Sequence, residues 1–144
     1  MTEHAQSSIL ALSGGVGGAK LALGLAGIFP NEQLHIMVNT ADDFDHLGLH
    51  ICPDIDTLLY TLSGQSNEVL GWGLANETWH TMTALERLGG ETWFRLGDSD
   101  MATHLWRTQA LAAGGDLQSV TARLARQMGI GCQIYPMSND PVRT

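Results

Sequence analysis

Ile9 to Leu12 is a short apolar run that stops at Ser13, after which apolar residues recur at helical spacing, Leu21, Leu25 and Ile28, until Pro30. The pattern predicts a strand, a glycine-rich turn and a helix. A second apolar run, His35 to Val38, ends at Asn39 and Thr40 and completes a right-handed βαβ unit if its strand lies parallel to the first. Residues 41–53 are polar, acidic and rich in histidine, with Gly48 among them, and are expected to form a loop at the strand ends. Leu58, Leu59 and Leu62 then mark a helix capped by Asp54 or Asp56 and stopped by Gly64, and a second loop runs from Gln65 to Asn76.

Three further helices are predicted: Thr78 to Leu88 on Met82, Leu85 and Leu88; Asp98 to Ala113 on Met101, Leu105 and Ala112; and one capped by Asp116 with Val120, Leu124 and Met128 on one face. Cys132 to Tyr135 reads as a closing strand before a polar tail, Met137 to Thr144. The whole is an α/β, Rossmann-like pattern, a mostly parallel sheet with helices on both faces. It reads as truncated, because a doubly wound sheet needs more strands and covering helices than this one has. Residues 1–144 are therefore expected to be the N-terminal portion of one domain, with no internal repeat or linker.

Composition narrows the partners. Seven basic against fifteen acidic residues give a net charge of -8, and Lys20 is the only lysine, so no basic stripe exists to neutralise a nucleic-acid backbone. The same balance excludes an anionic membrane surface, and no apolar run approaches the length of a spanning helix. Met1 to Ser8 lacks the basic and apolar parts of a signal peptide, which predicts a cytoplasmic protein with Cys52 and Cys132 reduced.

Ser13 to Lys20 holds four glycines between strand and helix. Backbone N–H groups at a helix N-terminus bind phosphate, and glycine lets the chain turn and approach closely. Ser13, Gly14, Gly15, Gly17, Gly18 and Lys20 are the candidates. Ala19 and Leu21 stand where a Walker loop needs its glycine and its magnesium-binding hydroxyl, and Lys20 occupies the third small position of a dinucleotide fingerprint. A tight structural turn remains the alternative. Asp42, Asp43, Asp45, Asp54 and Asp56 bring five carboxylates toward one sheet edge, the oxygen-rich setting that Mg2+ shares with substrate phosphate. Helix capping is the competing role for Asp54 and Asp56. His46, His50 and Cys52 have zinc-ligand chemistry, but Gly48 argues against the helix that would align the two histidines.

Taken in order, Leu-Ser-Gly-Gly-Val-Gly-Gly-Ala-Lys-Leu (12–21), Val-Asn-Thr-Ala-Asp-Asp (38–43), Cys-Pro-Asp-Ile-Asp-Thr (52–57) and Leu-Gly-Asp-Ser-Asp (96–100) resemble the 2-phospho-L-lactate transferases. The likeness continues through Gly71-Trp72-Gly73, Glu77-Thr78-Trp79-His80, Ala102-Thr103-His104 with Arg107-Thr108, and Pro136 to Asp140. The resemblance implies transfer of a phosphorylated carboxylic acid from a guanosine-diphosphate adduct to the ribityl hydroxyl of the deazaflavin Fo. GMP is released, magnesium takes part, and the product is F420-0 or its dehydro form, in coenzyme F420 biosynthesis. It implies nucleotide contacts in Ser13 to Lys20, metal at Asp43 and Asp56 with Asp42 and Asp54 behind them, and Fo contacts at Asp56 and Arg95. Asp43 and Asp56 are its catalytic candidates, and Trp72 a stacking surface. Family members extend beyond residue 144, and the donor acid stays open among phospholactyl, phosphoenolpyruvyl and phosphoglyceryl forms. A homodimer is also open. Two competing readings are a nucleotide-binding regulatory module without transfer activity and a metal-dependent phosphohydrolase.

Overall fold

The computed structural model describes residues 7–142, so most of the polar N-terminal segment and the last two residues of the tail lie outside it. Strand β1 (Ile9–Ser13), helix α1 (Gly15–Ala26) and strand β2 (Leu34–Val38) form the expected βαβ unit, with β1 and β2 parallel and Ser13 opposite Val38. A hairpin follows, β3 (Phe44–His46) and β4 (Leu49–Ile51), then α2 (Pro53–Leu62), α3 (His80–Arg87), α4 (Asp98–Ala112), α5 (Leu117–Gln127) and β5 (Gln133–Pro136). Strand β5 joins β2 in parallel, giving the sheet order β1-β2-β5.

The α/β, Rossmann-like class and the parallel sheet stand, and among the described residues α1, α2 and α5 share one core with β2 and β5. The topology explains this. Each new strand is added on the same side of the last, so crossovers of one hand place their helices on one face. Leu34, Ile36, Val38 and Ile134 point into that core against Ala19, Ala22, Leu58, Val120 and Leu124. On the opposite face Leu10 and Leu12 are 57% and 65% exposed.

Three local expectations are corrected. Residues 41–53 hold the β3–β4 hairpin rather than an irregular loop, closed by Leu47 and Gly48 at φ 53° and 74°, the left-handed pair that suits a two-residue hairpin turn. The alternation is masked because a histidine, His46, fills an inward position beside Leu49 and Ile51. Neither Asp54 nor Asp56 caps α2. Cys52 is its N-cap without a side-chain bond, and Pro53 starts the helix with the φ it already prefers. In α4 the buried positions are Thr103, His104 and Arg107, whereas Leu105 is 46% exposed.

Asp116 does cap α5, accepting from the Ser119 N–H at 2.6 Å. Asp116→Ala is expected to lower the midpoint of urea unfolding, because the Ser119 N–H loses its acceptor.

A smaller core of Leu49, Ile51, Met82 and Leu96 binds the hairpin to α3 and α4. These two helices cap each other. Asp98, at the start of α4, accepts from the Thr78 hydroxyl at 2.6 Å and from the His80 and Thr81 N–H groups at 2.9 and 3.0 Å. The Thr78 hydrogen bond, reinforced by the Thr81 N–H, holds the Asp98 carboxyl well below the usual carboxylate range. In return Glu77 accepts from Ser99 and Asp100 N–H at 3.0 and 2.8 Å, at the first turn of α4.

Candidate functional site

The glycine loop lies at the carboxyl ends of the parallel strands, where open α/β sheets bind ligands. Gly14 enters α1 in extended conformation, and Gly15 sits at φ 61°, a left-handed value that favours glycine. Its N–H donates to Asp54 Oδ1 at 2.8 Å, so a carboxylate from α2 sits at the N-terminus of α1. Asn39, just past β2, donates to Asp54 Oδ2 at 2.7 Å and to Asp42 Oδ2 at 2.9 Å. Asp42, Asp54 and the glycine loop are thus brought together through one asparagine. Lys20 is exposed on α1.

Asp43 is placed differently. It is 2% exposed, and its Oδ2 lies 3.7 Å from His50 Nε2, while Asp45 Oδ1 lies 3.0 Å from His50 Nδ1. The Asp43 carboxylate outweighs burial and raises the His50 pKa, so the imidazolium is favoured between two carboxylates. Ligand atoms of Asp43, His50 and Cys52 come within 4.8 Å of one another. Burial pushes the Cys52 thiol far above its ordinary range. His46 is not part of this group, because it stands on the other side of the hairpin, edge-on to Trp93 at 5.0 Å.

Asp56 turns into the protein. Both of its oxygens meet the guanidinium of Arg107, which is fully buried: Nη2 donates to Oδ1, and Nη1 donates to Oδ2 at 3.1 Å and to the His50 carbonyl at 3.3 Å. Although burial opposes it, the Asp56 charge keeps the Arg107 pKa raised. His104 Nδ1 lies 3.6 Å from Asp56, and its Nε2 lies 3.1 Å from Asp100 Oδ2. The Tyr60 hydroxyl donates to Asp100 Oδ1 at 2.6 Å.

Asp56, Asp100 and His104 line an open cavity of about 200 Å³ together with Tyr60, Trp72, Phe94 and Arg95. Asp56 and Arg95, the pair expected at the acceptor, both line it. Arg95 is steadied by Trp79, its Cζ 4.8 Å from the ring centroid. The cavity combines apolar walls with a few convergent polar groups, the usual composition of a small-molecule site.

Sequence patterns alone give no role to Asp100, His104, Arg107 or Tyr60. The signal that could have found them is the spacing of Asp100, His104 and Arg107 along one face of α4, a polar stripe that turns inward.

For a divalent cation the carboxylates are not equivalent. Asp43 Oδ1 is buried without a partner and offers an oxygen to a cation. Asp42 and Asp54 each have an oxygen that accepts only from the glycine loop or Asn39. Asp56, Asp100 and His104 also have ligand atoms within 4.8 Å of one another, but the Arg107 guanidinium against Asp56 repels a cation there. Arg107 keeps its charge against Asp56, whereas His50 beside Asp43 can give up its proton, so the residues present fit a metal at Asp43 better than at Asp56.

Fold and site define an α/β protein with a glycine loop at its strand ends and an aromatic-walled cavity beside it, an arrangement suited to group transfer between two small molecules. The model for the 2-phospho-L-lactate transferase family, CofD, matches residues 9–144, and the chain belongs to this transferase family. It is 46% identical over 138 residues to a phosphoenolpyruvate transferase of Kitasatospora aureofaciens, covering 94% of this chain and 43% of that protein. Against a 2-phospho-L-lactate transferase of Methanosarcina acetivorans the identity is 43% over 136 residues, covering 94% of this chain and 44% of that one. The chain thus spans less than half the length of the curated relatives it matches. Protein BH3568 from Bacillus halodurans shares the fold, with TM-score 0.56, 17% identity, and coverage of 92% of this chain and 40% of that one. Among the described residues no helix is long and apolar enough to cross a membrane.

Proposed function

We propose that this chain carries the acceptor pocket and phosphate loop of a cytoplasmic transferase. The enzyme moves a phosphorylated carboxylic acid from a guanosine-diphosphate-linked donor to the deazaflavin Fo, releasing GMP and forming F420-0 or its dehydro form. One observation carries the reading: Asp56 and Arg95 line the same aromatic-walled cavity. The acceptor hydroxyl attacks the phosphorus, its new P–O bond replaces the one to GMP, and its proton passes to a nearby base. Asp56, fixed by Arg107, and Arg95 orient the acceptor, and the Ser13 to Lys20 backbone faces the donor's phosphates. Asp43, whose Oδ1 is buried without a partner, is the residue assigned to Mg2+, which when bound would offset the charge spreading over the phosphoryl oxygens.

Residues 1–144 are read as the N-terminal portion of a single larger Rossmann-like domain, a reading supported by the exposure of Leu10 and Leu12 on the sheet. No homodimer is invoked. The phosphoenolpyruvate transferase among the relatives makes the phosphoenolpyruvyl donor the first to try, ahead of the phospholactyl and phosphoglyceryl forms.

Calorimetric titration with Fo in the presence of GDP and Mg2+ tests the proposal. Fo binds, and Arg95→Ala abolishes the heat. No Fo binding by a full-length version overturns the transferase reading. GMP release from the donor without Fo identifies a phosphohydrolase instead.

A further inference from the structure

Asp100 is the carboxylate of the cavity that neither the resemblance nor the proposed chemistry uses. It lines the aromatic cavity and also an adjoining trough, and Trp72, Gly73 and Arg95 are shared between the two, so Asp100 and Arg95 stand where they meet. Its side chain is 17% exposed, and what remains open faces this junction. Tyr60, 1% exposed, donates to Oδ1, and His104, 2% exposed, brings Nε2 to 3.1 Å from Oδ2. The Asp100 N–H is fixed by Glu77. Burial alone would favour the neutral acid, but the His104 and Tyr60 interactions prevail and hold the Asp100 carboxyl below its ordinary range.

An ionised, pre-aimed carboxylate in an apolar wall is a strong acceptor for one N–H donor. Arg95, which lines both the cavity and the trough along with it, is donor only. Acceptor next to donor is the complement of a ring edge that carries an N–H beside a carbonyl. A flavin-type pyrimidinedione has this edge, as has guanine. The enclosure by Tyr60, Trp72 and Phe94 suits a wide planar ring system.

We propose that Asp100 is the specificity-determining residue for the acceptor ring, accepting the imide N–H of a flavin-type heterocycle whose carbonyl faces Arg95, with Tyr60 and His104 as its positioning residues. This inference rests on the reading of the cavity as the acceptor site.

Fluorescence titration of wild type and Asp100→Asn with Fo, riboflavin, 3-methylriboflavin and GDP tests it, with circular dichroism confirming the fold. The asparagine keeps an oxygen for Tyr60 but presents no charge. It is expected to weaken Fo and riboflavin about 10–100-fold, the loss of one charge-assisted hydrogen bond. Wild type is expected to reject 3-methylriboflavin by a similar factor, and Asp100→Asn to bind it no differently from wild type. Equal affinity of wild type for riboflavin and its methylated form overturns the inference without any variant. Unchanged Fo and riboflavin binding in Asp100→Asn, a defect confined to GDP, or no binding of either flavin-type ring by wild type also overturns it. Asp100-dependent riboflavin binding with no Fo binding upholds the ring-edge assignment and removes the proposed transferase function.

Discussion

Arg107→Met is expected to destabilise the protein by about 3–5 kcal/mol, seen as a lower midpoint in urea unfolding. The magnitude follows from what is left behind. Arg107 is fully buried, and its guanidinium meets both oxygens of Asp56, itself 5% exposed, along with the His50 carbonyl and His104 Nδ1. Methionine fills much of the volume but leaves the Asp56 carboxylate uncompensated in a low-dielectric setting. Adding Asp56→Asn to Arg107→Met removes that charge, so the double variant should recover part of the loss. A double variant no more stable than Arg107→Met alone would show that packing by Arg107, and not its charge, is what the fold requires.

Gly18→Ala is expected to cost about 1–3 kcal/mol and to weaken GDP binding, measured by thermal unfolding and titration calorimetry. An added Cβ would lie 2.6 Å from Ser13 Oγ, 3.1 Å from its Cα and 3.2 Å from its carbonyl carbon. The hydroxyl can rotate, but the backbone of Ser13 is held in the sheet opposite Val38. Helix α1 must therefore lift from β1, which moves the N–H groups assigned to phosphate. Gly24, in the same helix, has nothing within 4 Å of the point a Cβ would occupy and serves as control, because Gly24→Ala should stabilise by about 0.5–1 kcal/mol. Equal effects at the two positions would refute the close approach of helix and strand.

Elements with a single strong period were legible in the sequence. The run Ile9 to Leu12, the glycine turn and the run ending at Val38 are observed as the first βαβ unit, and Asp116 caps α5 as its spacing implies. Legibility failed where a polar residue takes a buried position. His46 hid the hairpin, and His104 with Arg107 reversed the apparent inward face of α4. Burial of such groups is tolerated because partners distant in sequence satisfy them: Arg107 meets Asp56 across 51 residues, and Tyr60 meets Asp100 across 40. The five aspartates behave the same way. Their clustering in sequence is plain, but Asn39 and Gly15 draw Asp42 and Asp54 to the glycine loop while Arg107 draws Asp56 into the cavity floor. No local pattern distinguishes those destinations. Asp56 and Arg95, the pair proposed for the acceptor, are pointed to by ordered motif resemblance rather than periodicity, and the fold brings both to one cavity.

The exchanged caps of α3 and α4 make their first turns thermodynamically one object. Releasing Asp98 frees N–H groups of α3, and releasing Glu77 frees N–H groups of α4, yet Asp98 opens α4 and Glu77 lies just before α3, so each carboxylate is held at the end that the other one caps. In amide hydrogen exchange the N–H groups of His80, Thr81, Ser99 and Asp100 should open with a common free energy. Arg95 and Asp100, on the segment between and within these turns, then gain or lose their orientation together, so the cavity wall works as a single latch rather than as separately flexing side chains.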